Sequence, residues 1–130
     1  MRPGEAGNQR GHVVKGYQRE NPDPLNVASG EEILVSDRSD PWQGNPDWVW
    51  VWCTDPRGKS AWAPADLLEP VPGQGHDRAT ARYDYNAVEL TVVEGDDIFI
   101  DGEKNGWYWC RSSVEEYGWL PIDHIALVDG

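Results

Sequence analysis

Two stretches of the chain decide its fold, because the second repeats the first. The later one reads Trp107-Tyr108-Trp109-Cys110, and Trp119-Leu120-Pro121 begins nine residues after its cysteine. The earlier one reads Trp50-Val51-Trp52-Cys53, and Trp62-Ala63-Pro64 begins nine residues after its cysteine. Upstream, Leu90 stands five residues before Gly95-Asp96-Asp97-Ile98, as Leu25 does before Gly30-Glu31-Glu32-Ile33. The repeat is 57 residues long, counted from Trp50 to Trp107. Each copy is therefore long enough to fold as a small domain of its own.

The composition favours β strands over helices. The 130 residues include 14 Gly and 10 Pro, and the short runs of Val, Trp, Tyr and Ile show no sustained helical periodicity. Each copy has only about 60 residues, so large aromatic side chains must supply much of the core. Residues 89–92 are expected to form a short strand, and residues 36–47 a long polar loop that holds Trp42. We predict an all-β protein made of two small five-stranded barrels in tandem.

The domain boundaries are predicted from composition and from the repeat. Residues 1–11 lack an apolar pattern and are expected to form a flexible tail. The first domain spans residues 12–70, and the second spans residues 78–130. Residues 71–77, between the two, are rich in Pro and Gly and are expected to form an interdomain linker.

The chain is strongly acidic, with a formal net charge of −12. Residues 1–70 carry 7 basic and 11 acidic residues, and residues 71–130 carry 4 and 12, so the two parts contribute −4 and −8. Such a surface repels phosphate groups, so we expect neither a nucleic-acid partner nor an anionic membrane surface as a partner. It favours a cationic ligand instead.

Other features indicate a non-catalytic protein. The chain has no apolar run of about 18 residues and no apolar signal region near Met1, so we expect it to be cytoplasmic. Cys53 and Cys110 occupy equivalent positions and are expected to be buried free thiols. His12, His76 and His124 have no carboxylate or cysteine at ligand spacing, and no phosphate-binding loop is present. We therefore predict no catalytic residue, no metal site and no cofactor.

One segment of the second copy resembles a known family. Ala81-Arg82-Tyr83-Asp84-Tyr85 is similar to the Ala-Leu-Tyr-Asp-Tyr motif that opens a Src-homology-3 domain. The family's other landmarks follow in order over residues 78–129, as Glu89-Leu90-Thr91, Glu94-Gly95-Asp96, Asn105-Gly106-Trp107-Tyr108 and Gly118-Trp119-Leu120-Pro121. Residues 12–70 resemble the same family more distantly, through Val13 to Tyr17, Pro24-Leu25, Ser29-Gly30-Glu31, Trp50 and Trp62-Ala63-Pro64.

The resemblance implies a groove for extended, proline-rich peptides. In that family, aromatic rings form shallow pockets for a polyproline II helix, and an acidic loop pairs with a flanking Arg or Lys of the peptide. Carried over by position, the groove of the second domain consists of Tyr83, Tyr85, Glu89, Trp107, Trp119, Pro121 and His124. A possible second groove in the first domain consists of Tyr17, Asp23, Trp50, Trp62, Pro64 and Leu67.

The first domain departs further from the family pattern than the second. Lys15 stands where the family has its first groove tyrosine, and Leu67 replaces its last, whereas the second domain keeps Tyr83 and Tyr85 and has His124 at the final position. The working hypothesis is a protein-binding adaptor that recognises proline-rich or basic peptides, mainly through the second domain. One alternative is a rigid structural or regulatory subunit that docks proteins without binding polyproline. Another is an aromatic cage for a cationic small molecule or a methylated side chain.

Overall fold

A computed structural model describes residues 9–73, 75 and 77–128 of the chain. This part is all-β, as predicted, apart from one-turn 3₁₀ segments at Trp42–Gly44, Ala65–Leu67 and Ile122–His124. No helix in these ranges is long and apolar enough to cross a membrane. The strands, in chain order, are β1 (Gln9–Val13), β2 (Asn26–Val27), β3 (Glu32–Pro41), β4 (Val49–Thr54), β5 (Ser60–Pro64), β6 (Leu68–Pro70), β7 (Arg78–Ala81), β8 (Tyr85–Asn86), β9 (Asp97–Lys104), β10 (Trp107–Ser112), β11 (Tyr117–Pro121) and β12 (Ile125–Val128).

The strands assemble into two compact units that do not coincide with the two sequence repeats. Unit 1 combines the described residues up to Pro22 with those from Val88 onward, and unit 2 is Asp23–Ala87. The bounds of these units differ from those of the predicted domains, residues 12–70 and 78–130. The first strand of each repeat, β1 or β7, lies in the sheet formed by the rest of the other repeat.

The sheet of unit 1 has the strand order β11-β10-β9-β1-β12, and all its pairings are antiparallel. Within it, β1 lies between β9 and β12, with Gly11 opposite both Ile98 and Leu127. The backbone N–H of Val13 donates to Asp96 at 2.8 Å, which fixes the end of β1. The core of unit 1 consists of buried apolar side chains, namely Val13, Leu90, Val92, Ile98, Ile100, Cys110, Leu120 and Ile125.

The sheet of unit 2 has the equivalent order β5-β4-β3-β7-β6, again with antiparallel pairings. Here β7 occupies the place that β1 has in unit 1, and the backbone N–H of Ala81 donates to Glu31 at 2.9 Å. β2 and β8 form a separate two-stranded pair in the same unit. The buried apolar residues of unit 2 include Leu25, Val27, Ile33, Trp50, Cys53, Ala61, Ala63, Leu67, Ala79, Ala81 and Tyr85.

Neither five-stranded sheet closes on itself through these strands. The order in unit 1 begins at β11 and ends at β12, and the order in unit 2 begins at β5 and ends at β6. We predicted two five-stranded barrels, and the structure has sheets of five, two and five strands whose pairings do not close into barrels.

Side-chain size offers a physical reason for the exchange of β1 and β7. A Cβ atom on Gly11 would lie 2.7 Å from Cγ2 of Ile125 in unit 1, which is closer than side chains normally approach. The equivalent residue of β7 is Ala79, and two positions further on, unit 1 buries Val13 where unit 2 buries Ala81. If β7 took the place of β1 in unit 1, Ala79 would be too large at the position of Gly11. Ala81 would be too small at the position of Val13.

Two predictions at the ends of the repeats need correction. Residues 9–11, expected to belong to the tail, are part of β1 because they pair with β9 and β12; residues 1–8 lie outside the described ranges. Residues 71–77 were expected to link the domains, but they connect β6 to β7, which are neighbours in one sheet. β6 and β7 therefore pair as a hairpin within unit 2. Gln74, His76 and the last two residues of the chain are outside the described part.

Two predictions within the repeats are also corrected. The first half of the expected loop over residues 36–47 is strand, because β3 continues to Pro41 and pairs with β4 through Asp40 and Pro41. Residues 89–92 do not form a strand; they make isolated bridges, from Glu89 to Trp119 and from Val92 to Tyr17.

The two cysteines are buried free thiols, as predicted. Cys53 lies on β4 and Cys110 on β10, each in the interior of its own unit. Burial raises the pKa of each thiol to about 12. Such thiols stay protonated at neutral pH and serve as small core residues rather than nucleophiles.

Candidate functional site

The strand β10 presents its side chains alternately to the core and away from it. Cys110 is fully buried and Tyr108 packs against the core of unit 1. Because side chains alternate along a strand, Trp107 and Trp109 lie on the opposite face, and both are partly exposed. The sequence Trp-Tyr-Trp-Cys therefore presents two indoles on the outside of this unit.

Trp107 belongs to a group of three aromatic rings that we call the Tyr17 cluster. The Tyr17 ring lies edge to face with Trp107, at 5.8 Å between centroids, and with His124, at 5.6 Å. Backbone hydrogen bonds exchanged between Tyr17 and Val92, at 2.8 and 2.9 Å, hold Tyr17 in place. All three rings belong to unit 1, although Tyr17 comes from the first repeat.

His124 is oriented by the segment that precedes Tyr17. Its Nδ1 lies 3.1 Å from the carbonyl oxygen of Lys15, and since a carbonyl can only accept, this hydrogen bond requires a proton on Nδ1. The backbone N–H of Val14 in turn donates to the His124 carbonyl at 2.8 Å. The imidazole side chain is 14% exposed, so its ring forms a wall of the cluster rather than a mobile surface group.

Glu89 adds a carboxylate to the Tyr17 cluster. The carboxylate accepts hydrogen bonds from the Tyr17 hydroxyl and from the backbone N–H of Glu20. Burial nevertheless raises the pKa of Glu89, and the negative charge of Glu20 adds to this effect. Because the pKa is raised in the folded state, this group stabilises unit 1 fully below its ordinary pKa, and the stabilisation is lost as pH rises through the raised value. The ionised form of Glu89 therefore lowers the stability of unit 1.

Trp119 and Pro121 lie on the neighbouring strand β11. Pro121 is buried and stands opposite Trp107, whereas Trp119 stands opposite Trp109. The Trp119 ring lies edge to face with Trp109 at 5.2 Å between centroids. Of the predicted second-domain groove, unit 1 therefore contains Glu89, Trp107, Trp119, Pro121 and His124, while Tyr83 and Tyr85 lie in unit 2.

The tyrosines of the predicted motif are engaged within unit 2. The Tyr83 hydroxyl donates to Asp66 at 2.7 Å, and burial together with this carboxylate raises the pKa of Tyr83. The Tyr85 hydroxyl donates to the carbonyl of Trp62 at 3.0 Å. Asp66 is not among the predicted site residues, although its position two residues after Pro64 matches that of Asp123 after Pro121.

The remaining members of the possible second groove are mostly inside unit 2. Trp50 is 6% exposed, and Pro64 and Leu67 are buried. Asp23 is exposed and lies 3.4 Å from both Nη1 of Arg57 and Nζ of Lys59. Trp62 is partly exposed. With Tyr17 in unit 1, the predicted set is divided, and Trp50, which occupies the position equivalent to Trp107, is buried in unit 2.

No protein-family model matches this chain, and no curated protein sequence is significantly similar to it.

Proposed function

We propose that the protein is a non-catalytic peptide-binding module whose groove is the Tyr17 cluster together with Glu89. The observation that carries this proposal is the convergence of Trp107, Tyr17 and His124 with a carboxylate on one face of unit 1. Of the three rings, Tyr17 also packs against the buried cluster of unit 1, which is built from aliphatic side chains and Cys110.

The geometry suits an extended peptide rich in proline. Edge-to-face rings leave ridges and shallow clefts between them, into which the rings of a polyproline II helix can pack. Such a helix loses little conformational entropy on binding. Glu89 sits beside these rings, and an Arg or Lys next to the prolines would pair with its carboxylate and relieve the cost of its burial.

We also propose that each unit is a Src-homology-3-like fold. The two five-stranded sheets have the same strand order. In both, a buried proline begins a one-turn 3₁₀ segment, Ala65–Leu67 or Ile122–His124, which leads into the last strand. In this proposal each repeat contributes its first strand, β1 or β7, to the sheet of the other repeat.

Unit 2 is the weaker candidate for peptide binding. Its equivalent of Trp107 is Trp50, which is 6% exposed and offers little surface to a ligand. The Tyr83 hydroxyl already donates a hydrogen bond to Asp66. We therefore expect peptide to bind mainly to unit 1.

The test is an amide and indole NMR titration with a proline-rich peptide that carries flanking arginines. We expect saturable shifts at Trp107, His124 and Glu89 in the wild type. Trp107→Ala and Tyr17→Ala should each weaken binding by about tenfold or more. Tyr83→Ala is the matched control, because this tyrosine belongs to the same motif but lies in unit 2, and it should leave the unit 1 shifts unchanged.

Two outcomes would contradict the proposal. If millimolar peptide causes no shifts, polyproline recognition is wrong and the docking-subunit alternative is favoured. If Tyr83→Ala weakens binding while Tyr17→Ala does not, the groove has been assigned to the wrong tyrosines.

A further inference from the structure

Residues 9–22, which we call the β1 segment, belong to unit 1 but are separated in sequence from its other strands. Unit 2, residues 23–87, comes between the β1 segment and the rest of unit 1, which begins at Val88. The β1 segment is therefore joined covalently to the rest of unit 1 only by way of unit 2. Its place in the sheet depends on noncovalent contacts.

These noncovalent contacts lie on both sides of the segment. β1 pairs with β9 and with β12, and Val13, with 0% of the residue exposed, belongs to the core of unit 1. Further along, Tyr17 exchanges two backbone hydrogen bonds with Val92, at 2.8 and 2.9 Å. Removing the segment leaves β9 and β12 each with an unpaired backbone edge, which readily pairs with another strand.

Side-chain size determines which strand this place accepts. A Cβ atom on Gly11 would lie 2.7 Å from Cγ2 of Ile125, and Val13, two residues further on, is fully buried. The equivalent strand β7 has Ala79 and Ala81 at these positions, and it already pairs with β3 and β6. The strand that fits is therefore β1, from the same chain or from a second copy of it.

The connection from the β1 segment to unit 2 is short and lies at the surface. Residues 18–23, all within the described ranges, are exposed and lie outside the strands. Pro22 and Pro24 restrict the residue before each of them to an extended backbone. An extended connection suits a chain that continues from one folded unit to another.

Exchange of the β1 segment between two copies would cost few contacts. The backbone N–H of Arg19 donates to Oγ1 of Thr91 at 3.2 Å within unit 1, and Asp23 lies 3.4 Å from Nη1 of Arg57 within unit 2. After exchange, the first contact forms between the two chains and the second stays within one chain. Only the connection between Glu20 and Asp23 changes its course, which makes exchange a low-cost route to a dimer.

We propose that two copies of this chain form a dimer by exchanging their β1 segments. The β1 segment of each copy pairs with β9 and β12 of the other, and unit 2 keeps the fold that it has in the single chain. Each Tyr17 cluster of the dimer combines Tyr17 of one copy with Trp107 and His124 of the other. The dimer goes beyond the proposed function and does not depend on peptide binding.

The first test is refolding from urea under reducing conditions, followed by size-exclusion chromatography with light scattering. Unit 2 acts as the linker between the β1 segment and its partner strands, so monomer and dimer should be equally populated at a protein concentration on the order of millimolar. We expect about half of the chains in dimers after refolding at about 1 mM, and almost none at about 0.01 mM. Each copy carries a formal charge of −12, so added salt should raise the dimer fraction by screening the repulsion.

The second test determines whether β1 changes chains. His12 on β1 stands directly opposite Ala126 on β12, and Arg10 stands opposite Val128; residues paired in this way are close enough for a disulfide. A chain with His12→Cys and a chain with Ala126→Cys are refolded together at high concentration, then oxidised with glutathione and analysed by mass spectrometry. We expect a disulfide that joins positions 12 and 126 of different chains. Arg10→Cys with Val128→Cys is the second facing pair.

The control is a single chain that carries both substitutions of a pair. Refolded at low concentration, it should form the same disulfide internally. Two outcomes would overturn the proposal. One is that all chains remain monomeric after refolding at about 1 mM. The other is a dimer in which neither cysteine pair joins different chains.

A mixture of Tyr17→Ala and Trp107→Ala chains separates this proposal from the proposed function. The exchanged dimer of one chain of each kind contains one Tyr17 cluster with all three rings intact. It should therefore bind proline-rich peptide with the wild-type affinity at that site, which neither variant does alone. A cross-linked dimer without this recovery would contradict the peptide groove and leave the strand exchange supported.

Discussion

Asp55 is a buried carboxylate at the turn between β4 and β5, with only 2% of the residue exposed. It accepts backbone N–H groups from Asn26 at 3.0 Å, Arg57 at 2.9 Å and Lys59 at 3.0 Å. Nη2 of Arg57 donates to it at 2.9 Å. Burial alone would raise the pKa of Asp55, but these hydrogen bonds lower it below its ordinary value. One side chain thus ties the turn to the start of β2.

We expect Asp55→Ala to lower the free energy of unfolding of unit 2 by about 3 kcal/mol, because it leaves several donors unsatisfied. Since the pKa of Asp55 is lowered in the folded state, its stabilising effect is complete above its ordinary pKa and is lost as pH falls through the lowered value. Urea unfolding at pH 7 and at progressively lower pH measures both effects.

The exposed Asp47→Ala is the control for this comparison and should change stability by less than about 0.5 kcal/mol. If Asp55→Ala costs no more than Asp47→Ala at pH 7, the hydrogen bonds of Asp55 do not stabilise the fold as we infer.

The exposure of two equivalent tryptophans could not be predicted from the sequence. Trp50 and Trp107 occupy the same position in the two repeats, yet Trp50 is 6% exposed whereas Trp107 is partly exposed beside Tyr17. The repeat predicts that the two positions are equivalent, and each tryptophan stands opposite a proline of the next strand. It could not predict that Tyr17, from the first repeat, would lie beside Trp107.

At the scale of elements, Gly118 controls how β11 meets the segment that carries Glu89. The backbone N–H of Trp119 donates to Val88 at 2.9 Å, and that of Leu90 donates to Trp119 at 3.3 Å. A Cβ atom on Gly118 would lie 2.6 Å from the carbonyl carbon of Glu89 and 2.7 Å from the nitrogen of Leu90. Both neighbours are backbone atoms, so they cannot move aside as a flexible side chain could.

We expect Gly118→Ala to destabilise unit 1 by about 2 kcal/mol or more, because it forces the Glu89 segment away from β11. The variant should also weaken binding of proline-rich peptide, since it displaces Glu89. Chemical denaturation measures the stability of this variant against that of Gly102→Ala. Gly102 lies on β9 and is exposed, with nothing within 4 Å of an added Cβ atom, so its substitution is the control. Equal stabilities of the two variants would show that the close backbone contact is not maintained in solution.

Most elements could be predicted from the sequence because alternating apolar residues and turn residues bound them clearly. The turn Asp55-Pro56-Arg57-Gly58 is an example, with Gly58 at a φ of 83° and its N–H donating to the Asp55 carbonyl. The far half of β3 was missed because its residues are polar and exposed and because its register shifts before Ser39. That same shift carries the guanidinium carbon of Arg38 to 5.0 Å from the Trp52 ring centroid and 5.3 Å from that of Trp62, which no spacing rule would have indicated.

At the scale of the molecule, the exchange of β1 and β7 could not be read from the repeat itself. β1 and β7 are equivalent in the repeat, so the repeat is consistent with either strand in either sheet. The choice depends on small differences, Gly11 against Ala79 and Val13 against Ala81, whose meaning appears only once the opposing residues are known. The division of the predicted groove residues between two units follows from this one feature.

The exchange predicts how fragments of the chain behave. Residues 23–87 contain every strand of unit 2, so this fragment should unfold cooperatively on its own. Residues 78–130 lack β1 and can only place β7 there, with Ala79 against Ile125 and a shortened side chain at Ala81. We expect that fragment to be unfolded, or less stable than unit 1 in the whole chain by about 2 kcal/mol or more.

Ala79→Gly combined with Ala81→Val makes β7 resemble β1, and this pair of changes should restore folding to the fragment 78–130. Circular dichroism and urea unfolding measure the outcome. A fragment 78–130 that folds as well without these changes would show that strand size does not determine the exchange.

The insertion of unit 2 into unit 1 also gives the chain a mechanical order. β1 and β12 are antiparallel neighbours, with Arg10 opposite Val128, so tension applied to these first and last described strands peels them apart one hydrogen bond after another. Unit 2 is joined in sequence only through Pro22–Asp23 and Ala87–Val88, and it carries no tension until unit 1 has opened. β2 and β8 then meet the force in the same peeling geometry, with Asn26 opposite Asn86. Under tension, unit 1 therefore unfolds first, and its partly exposed aromatic side chains separate. Unit 2 remains folded until then, and its unfolding afterwards lengthens the chain further.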